Sequence, residues 1–204
     1  MKRLVAPVLV IFLSATAAIA AGPQERPADW AVLVDGTTVK NLYKVEDGLY
    51  RGAQPTAAGF QELRKLGIKT VLNVAGGAGD DVLIQKDSLK LFHVPMRAWG
   101  LRDDLVIQAL RVMTDPTNRP LLIHCQHGAD RTGALVALYR VVVQGWTKEK
   151  AVEEMKRGGY HHSSLWRNLD EYVMKADVEN LRKTLKVTNE AVTAAKAAAA
   201  AAAH

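Results

Sequence analysis

The sequence predicts an α/β fold, a three-layer sandwich in which helices cover a mainly parallel central sheet. The first observation is that short β-branched apolar runs and segments of helical period follow one another as strand, helix, strand, helix, strand, helix. The second is that one buried run, 121–124, leads directly into a loop and a strongly apolar helix. In sheets of this kind, sites form beyond the carboxyl ends of the strands.

The first half of the chain contains a predicted hairpin and two further strands. Asp47-Gly48 is a turn dipeptide between two short apolar runs. Thr56 is expected to cap a helix that ends at Gly67. In order, the predicted elements are strands at 42–45 and 49–51, a helix at 56–66, a strand at 68–74, a weak helix after the Gly-rich loop 76–79, and a strand at 89–95.

The second half is predicted to be mainly helical. A helix is expected to start at Asp103 or Asp104, and Asp115-Pro116 breaks it. The remaining predicted elements are the strand 121–124, an apolar helix at 132–144, an amphipathic helix at 147–156, and one long helix from 163 to about 185. The last three are expected to form one helical cap.

Both ends of the chain differ from the middle in composition. Lys2 and Arg3 precede an apolar run and a small-x-small site at 18–20, which is typical of a cleaved signal peptide. An uncleaved anchor is the alternative, but the run is shorter than the roughly 20 apolar residues that span a bilayer. The mature chain is therefore expected to be periplasmic or secreted. The predicted organisation is a signal peptide at 1–20, an extension at 21–40, a globular domain at 41–186, and an Ala-rich tail at 187–204, frayed or disordered.

Charge and cysteine content narrow the function classes. The net charge of +6 falls to +4 without residues 1–20, which hold two basic residues and no acidic one. A modest positive charge suits anionic substrates. The chain lacks a dense basic run with interleaved aromatics, so specific binding of nucleic acid is not predicted. Because the chain has one cysteine, it forms no internal disulfide.

That cysteine lies in HCQHGADRTG, residues 124–133, where the buried strand meets the loop before the apolar helix. Loop amides from Gln126 to Arg131 and the positive end of the helix are expected to converge on one point and bind an anion. The same field favours the thiolate of Cys125, which makes it a nucleophile.

The other residues of the segment fit phosphate chemistry. Arg131 offers a planar fork that holds two phosphate oxygens and stabilises charge on the equatorial oxygens during transfer. Gly128 lets the backbone turn sharply. Thr132 can donate a hydrogen bond to the sulfur when water attacks a thiophosphate intermediate. The predicted substrate-binding residues are Gln126, His127, Gly128, Ala129, Asp130 and Thr132.

This segment resembles the signature of cysteine-based protein tyrosine and dual-specificity phosphatases: His-Cys, five residues, Arg, then Ser or Thr. The likeness extends to NLYKVEDGLYRGAQP, LGIKTVLNV and GWTKEKAVEEMKRGGY, and so covers roughly 41–170. It implies the cysteine-phosphatase fold for the domain 41–186 and hydrolysis of a phosphorylated protein or small phosphorylated substrate. It also implies no metal and no organic cofactor. No membrane contact is expected after signal cleavage, because no cysteine that could carry a lipid anchor follows the apolar run.

The sequence departs from this family at the general acid. Family members carry an Asp on the loop after the strand that here ends near Pro95, and that position falls on Ala98. Asp103 is the first replacement we consider, with capping of the next helix as its alternative role. Asp104 and Asp130 are the other candidate acids. The position of Asp130 in the loop resembles that of the loop aspartate in phosphoinositide phosphatases of the myotubularin and Sac type. Its alternative role is to support the loop by bonding backbone amides.

Several polar residues are interpreted as support or left open. His124 is expected to point away from phosphate and to bond the loop backbone. The side chains of Gln126, His127 and Ala129 are expected to point outward, so His127 is as readily solvated as in contact with substrate. Arg97, Trp99 and Arg102 lie on the overhanging loop and could meet a substrate ring or further phosphates. His161 and His162 are not interpreted as metal ligands, because adjacent side chains diverge and no cluster is evident.

Three alternatives stay open at this point. A phosphoinositide or inositol phosphate phosphatase would use the same loop on another substrate. A phosphate-binding module would keep Cys125 and Arg131 but lack an acid, as Ala98 suggests. A sulfurtransferase would also use an activated cysteine, although the Arg-Thr-Gly ending favours phosphate.

Overall fold

The computed structural model describes residues 26–77, 80, 83 and 89–202, which form one six-stranded sheet with helices on both faces. The strands are β1 Val32–Leu33, β2 Tyr43–Glu46, β3 Leu49–Gly52, β4 Thr70–Asn73, β5 Lys90–His93 and β6 Leu121–His124. The helices are α1 Ala57–Lys65, α2 Asp103–Thr114, α3 Asp130–Val142, α4 Lys148–Arg157, α5 Arg167–Lys175, α6 Val178–Leu185 and α7 Asn189–Ala202.

The sheet is mixed and mainly parallel. Its strand order is β1-β2-β3-β6-β4-β5, with β3, β6, β4 and β5 parallel and β1 and β2 antiparallel at one edge. β6 is central, and its register pairs His124 with Gly52 on one side and with Asn73 on the other. The predicted fold class is confirmed, and the carboxyl end of β6 lies in the middle of one sheet edge.

Two hydrophobic clusters fill the layers on either side of the sheet. The smaller lies under α1 and includes Phe60, Leu63 and Val71. The larger lies under α2 to α6, and every residue of α3 from Thr132 to Val142 is buried in it. The apolar run that follows the cysteine is therefore the central helix of the larger layer, which fixes the position of its amino terminus.

Local signals place most helix ends where the sequence predicts them. The Thr56 hydroxyl accepts a hydrogen bond from the Gly59 amide at the start of α1, and Gly67, with φ +83°, follows its end. Thr147 caps α4 in the same way through the amide of Lys150. Gly48, with φ +76°, makes the predicted turn between β2 and β3.

The long helix predicted from 163 to about 185 is wrong. It is divided into a 3-10 turn at Ser164–Trp166, α5 and α6. The break lies at Ala176, whose backbone is extended, and Asp177 caps α6 by accepting from the Asn180 amide. The capping aspartate competes with a continuous helix and redirects the chain, so that α6 packs against α2.

The Ala-rich tail, for which a frayed helix or disorder is expected, is helical from Asn189 to Ala202. α7 is preceded by Thr188, whose hydroxyl accepts a hydrogen bond from the Ala191 amide, and it buries Val192. The weak helix predicted after the loop 76–79 falls mostly outside the described residues, as do residues 1–20. Within the described ranges, no helix combines the length and hydropathy needed to cross a membrane.

Candidate active site

The loop from Cys125 to Arg131, hereafter the anion loop, joins β6 to α3 at the carboxyl edge of the sheet. Four successive carbonyl groups of this loop accept hydrogen bonds from residues packed around it. The donors are Gln54 N to Gln126 O at 3.3 Å, Asn41 Nδ2 to His127 O at 2.9 Å, and Arg51 Nη2 to Gly128 O at 2.8 Å and to Ala129 O at 3.3 Å.

The outward carbonyls leave the loop amides available to a ligand. Among the described residues, no backbone N–H from Gln126 to Ala129 donates a hydrogen bond within the protein. Successive unpaired amides on the concave side of a tight loop form an anion-binding nest, and the amino terminus of α3 adds its dipole. The predicted anion loop therefore has the polarity that a phosphate group requires.

Gly128 is needed because the loop packs against the end of β3. Its φ is +68°, and a Cβ added there would lie 2.3 Å from the carbonyl carbon and oxygen of Gly52. The sharp turn predicted at Gly128 is confirmed. The close approach that excludes a side chain is to the backbone of a neighbouring strand.

The nucleophile and the predicted phosphate clamp belong to this loop. Cys125 is 2% exposed and unpaired, and it directly follows β6. Arg131 donates from Nη1 to the carbonyl of Met96 at 3.2 Å, which orients its guanidinium toward the overhanging loop 94–102. No carboxylate of the described part of the chain forms an ion pair with Arg131, so its charge stays available to an anion.

His124 supports the loop from below, as predicted. Its Nδ1 lies 3.1 Å from the carbonyl oxygen of Cys125, and its Nε2 lies 2.8 Å from Oδ2 of Asp80. His124 and Asp80 are both buried, and Gln54 also donates to Asp80. Sequence reasoning missed Asp80, because no spacing links a carboxylate in a Gly-rich loop to a histidine 44 residues away.

Asp130 is held by the segment that precedes α5. Its Oδ1 accepts a hydrogen bond from the Ser163 amide at 2.8 Å and lies 3.0 Å from Nδ1 of His162. Burial acts to raise the pKa of Asp130, but His162 and the Ser163 amide outweigh it and lower the pKa. These contacts match the loop-support role that was the alternative for Asp130.

His162 joins two carboxylates that the sequence did not bring together. It is buried, and its Nε2 lies 3.0 Å from Oδ1 of Asp170. Both distances are those of ion pairs, although their angles fall outside hydrogen-bond geometry. The sequence did not indicate these two carboxylate neighbours of His162. Among the described residues, no group of three or more such side chains is arranged to hold a metal ion.

Other loop side chains divide between surface and core. Gln126 and His127 are exposed, as predicted, whereas Ala129 is 2% exposed and points inward, contrary to prediction. Ala129 precedes the first turn of α3 and packs with it, so there is no room for an outward orientation. The Thr132 hydroxyl is fully buried and has no hydrogen-bond partner in the described ranges.

The predicted acid lies at the start of α2. Asp103 is exposed, and its Oδ1 accepts a hydrogen bond of 2.5 Å from the Tyr172 hydroxyl on α5. Asp104 instead pairs with Arg102 at 2.7 Å, and that hydrogen bond lowers its pKa. The overhanging loop itself carries no carboxylate from Val94 to Arg102. The catalytic role of Asp103 stays a prediction.

A buried arginine completes the surroundings of the loop. Arg51 on β3 is 1% exposed, and its guanidinium carbon lies 3.6 Å from the centroid of the Tyr160 ring. Sequence reasoning missed it, since it placed Arg51 only at the end of a hairpin strand. An arginine between buried residues of a strand was the signal available.

Comparison with known proteins identifies the family. A family model described as "DSP-PTPase phosphatase fused to NAD+ Kinase" matches residues 25–175. The dual specificity protein phosphatase TpbA of Pseudomonas aeruginosa is 38% identical over 186 residues, which cover 89% of this chain and 83% of TpbA. Inositol diphosphatase DSP3 of Arabidopsis thaliana is 29% identical over 154 residues, with coverages of 71% and 74%.

Solved structures agree with this assignment. The crystal structure of P. aeruginosa TpbA has a TM-score of 0.71 at 36% identity and covers 79% of this chain and 99% of its own. A structure of TpbA in complex with pTyr gives 0.71 at 34% identity, with coverages of 80% and 100%. With its fold, its anion loop and these relatives, the chain belongs to the family of dual-specificity protein tyrosine phosphatases.

Proposed function

We propose that this protein hydrolyses phosphate monoesters through a covalent intermediate on Cys125, with tyrosine phosphate in proteins as the substrate class. The observation that carries the proposal is the anion loop, in which the carbonyls from Gln126 to Ala129 accept hydrogen bonds from surrounding residues while the amides of the same four residues stay unpaired beside Cys125. Arg131 would bind two phosphate oxygens as a fork and neutralise charge on the equatorial oxygens.

The reaction has two steps. The Cys125 thiolate attacks phosphorus, an S–P bond forms, and the P–O bond to the substrate breaks with the electron pair on the leaving oxygen. Water then attacks phosphorus, the S–P bond breaks, and inorganic phosphate and the thiolate are released. The buried Thr132 hydroxyl lies at the start of α3 and would donate to the sulfur as it leaves.

The structure holds no carboxyl group in place on the overhanging loop to protonate the leaving oxygen. Asp103 is proposed as the acid, after release from Tyr172. An acid placed beyond the overhanging loop favours substrates whose leaving groups need little help. The tyrosine phenol has a pKa of about 10, far below that of a serine alcohol. Positioned acids contribute about a hundredfold to ten-thousandfold, so serine phosphate should be a poor substrate.

Inositol diphosphates are the second candidate, because Arabidopsis relatives are named inositol diphosphatases. Their leaving group is itself a phosphate, with a second pKa of about 6, so this substrate also needs little protonation. TpbA, the more similar relative, was crystallised with pTyr, which favours tyrosine phosphate for this chain.

Export is part of the proposal. The basic start, the apolar run and the small residues at 18–20 support a cleaved signal peptide and a periplasmic enzyme. Amino-terminal sequencing of the protein from a periplasmic fraction should begin at Ala21. Recovery of the intact amino terminus from the cytoplasmic fraction would contradict export without affecting the assigned chemistry.

The assay that tests the function is release of p-nitrophenol from its phosphate ester, with chelator present and the protein kept reduced. Wild-type protein should turn over, and Cys125→Ser should lose about a thousandfold or more while retaining its fold. Binding of vanadate without turnover by folded wild-type protein would contradict the hydrolase and leave a phosphate-binding module.

A further inference from the structure

Arg51 is a buried cation without a carboxylate of its own. Its side chain lies between the anion loop and the ring of Tyr160, and it is 1% exposed. Within the described part of the chain, its direct hydrogen bonds go only to the carbonyls of Gly128 and Ala129, and its Nε has no partner. A charge removed from water in this way is costly unless other charges balance it.

In the described part of the chain, the buried carboxylate that acts on Arg51 already serves another arginine. Glu154 on α4 is the carboxylate of this region, and it accepts hydrogen bonds from Arg140 Nε at 2.9 Å and Nη2 at 2.8 Å. It also accepts from the Tyr160 hydroxyl and the Ala31 amide. Among the described residues, the guanidiniums of Arg51 and Arg140 therefore share Glu154, while the other buried carboxylate, Asp80, lies against His124. Arg51 is thus left without a carboxylate partner of its own.

The electrostatic balance of Arg51 points to the nucleophile. Burial acts to lower the pKa of the guanidinium, and Tyr160 and Glu154 act to raise it. A negative Cys125 also raises it, whereas Arg140 lowers it. Because arginine remains protonated in proteins, the charge stays and must be stabilised by an anion. The thiolate and a bound phosphate are the anions that the site provides.

Geometry gives Arg51 a second role. It lies on β3 opposite Ile123 of β6, one residue before the pair Gly52 and His124 that leads into Cys125. Its Nη2 donates to two successive loop carbonyls and holds them outward, which is the orientation that turns the amides toward a ligand. Loss of this donor would free the carbonyls to rotate into the concave side, where they would repel phosphate.

We propose that Arg51 is a positioning residue that holds the anion loop open for phosphate, and that its buried charge is balanced by the Cys125 thiolate. This inference rests on the proposed role of Cys125 as nucleophile. Other charged groups also surround this region. Arg131 lies on the side of the loop that faces the anion, and Glu154, Arg140 and the surface residue Arg26 lie around Tyr160.

The test compares the full protein with Arg51→Met, Arg51→Lys and the matched control Arg182→Met. Arg182 also donates to two successive carbonyls of α3, Val141 and Val142, but at the far end of the helix. Two readouts are used: the rate of iodoacetamide labelling against pH, which reports Cys125 alone because the chain has one cysteine, and the Kd for vanadate.

In Arg51→Met, the pH midpoint of labelling should rise by about one unit or more, since a nearby cation is lost. Its vanadate Kd should rise about tenfold or more. Arg51→Lys should shift the midpoint less, because it keeps the charge. It should still weaken vanadate binding, because the lysine Nζ ends one bond short of the Nη2 position that holds the two carbonyls. Arg182→Met should match wild type in both readouts.

A folded Arg51→Met with the wild-type midpoint and affinity would overturn the proposal and leave a packing role. If near-ultraviolet circular dichroism shows that Arg51→Met is unfolded, Arg51→Lys decides: an unchanged vanadate Kd overturns the positioning role. Neither readout needs turnover. An inactive wild-type enzyme would therefore count against the proposed hydrolysis separately from the result for Arg51.

Discussion

The anion loop and the loop that overhangs it, residues 94–102, are built differently. The anion loop is held by buried contacts from several elements, including β3 and the segment before α5. The overhanging loop is bonded at its start to the end of β4 and to Arg131, but farther along it carries Trp99 with 68% of its surface exposed. Among the described residues, its one hydrogen bond to α5 is that from Asn168 to the Ala98 carbonyl. Phosphate binding and nucleophilic attack are thus preorganised, whereas protonation of the leaving group is not.

The largest effect is expected from disturbing the preorganised loop. In Gly128→Ala, the new Cβ would collide with the backbone of Gly52, and a positive φ would be imposed on alanine. Turnover of p-nitrophenyl phosphate should fall about a hundredfold, because small displacements at a reacting centre cost that much. The free energy of unfolding should fall by about 2 kcal/mol, measured by urea denaturation.

Gly77→Ala is the control for this substitution, since a Cβ at Gly77 meets nothing within 4 Å. It should leave turnover and stability unchanged. Wild-type turnover by Gly128→Ala would show that the packing of the anion loop on β3 is not required, and the contrast between the two loops would be lost.

An acid added to the overhanging loop should improve protonation of the leaving group, and so reduce the difference between the two loops. Ala98→Asp places a carboxyl at the position where the resemblance to this family predicts the general acid. The kcat for an alkyl phosphate such as β-glycerophosphate should rise about tenfold or more, with little change for p-nitrophenyl phosphate. Ala98→Asn is the control of equal size. Equal gains in both variants, or a gain in neither, would contradict the missing-acid interpretation.

Asp103→Asn should have a smaller effect of the opposite sign. If Asp103 reaches the leaving oxygen when released from Tyr172, its loss should lower kcat for alkyl phosphates by about tenfold and spare p-nitrophenyl phosphate. Tyr172→Phe removes the same hydrogen bond but keeps the carboxylate, so it should retain activity. Equal losses of kcat in Asp103→Asn and Tyr172→Phe would mean that the hydrogen bond between these residues serves the packing of α2 on α5 and not acid catalysis.

The smallest expected effect concerns the support of the anion loop by Asp130. Its pKa is lowered in the folded protein, so the ionised side chain adds stability above its ordinary pKa of 3.8, and this is lost as the pH falls through the lowered value. Asp130→Asn should remove about 1 kcal/mol at neutral pH and reduce the acid slope of the unfolding free energy. Parallel slopes for the two proteins would contradict this linkage.

The predicted features depend on local patterns. Strand 121–124, the cap at Thr56 and the turn at Gly48 follow from residue preferences over a few positions, and each was found at its predicted place. The fold class followed from their order. The break at Ala176 was missed because Asp177 caps a helix inside a continuous helical pattern, and a capping residue competes with the pattern without altering its period.

The missed site residues depend on contacts across the fold. Arg51 meets the anion loop 77 residues later, and Asp80 meets His124 44 residues later. His162 lies beside Asp130 because the chain returns along α4 to the amino terminus of α3. Only the tertiary arrangement creates these pairs, so sequence spacing gave the loop and its nucleophile but not the buried charges that support them.

The most direct test of the central claim is to trap the intermediate. Wild-type protein is mixed with p-nitrophenyl phosphate, quenched rapidly in acid and digested, and the peptide that contains Cys125 is examined by mass spectrometry. We expect the added mass of one phosphoryl group on that peptide during turnover, and none on the corresponding peptide of Cys125→Ser. Steady turnover with no phosphorylated cysteine at any time point, together with an active Cys125→Ser, would contradict this claim.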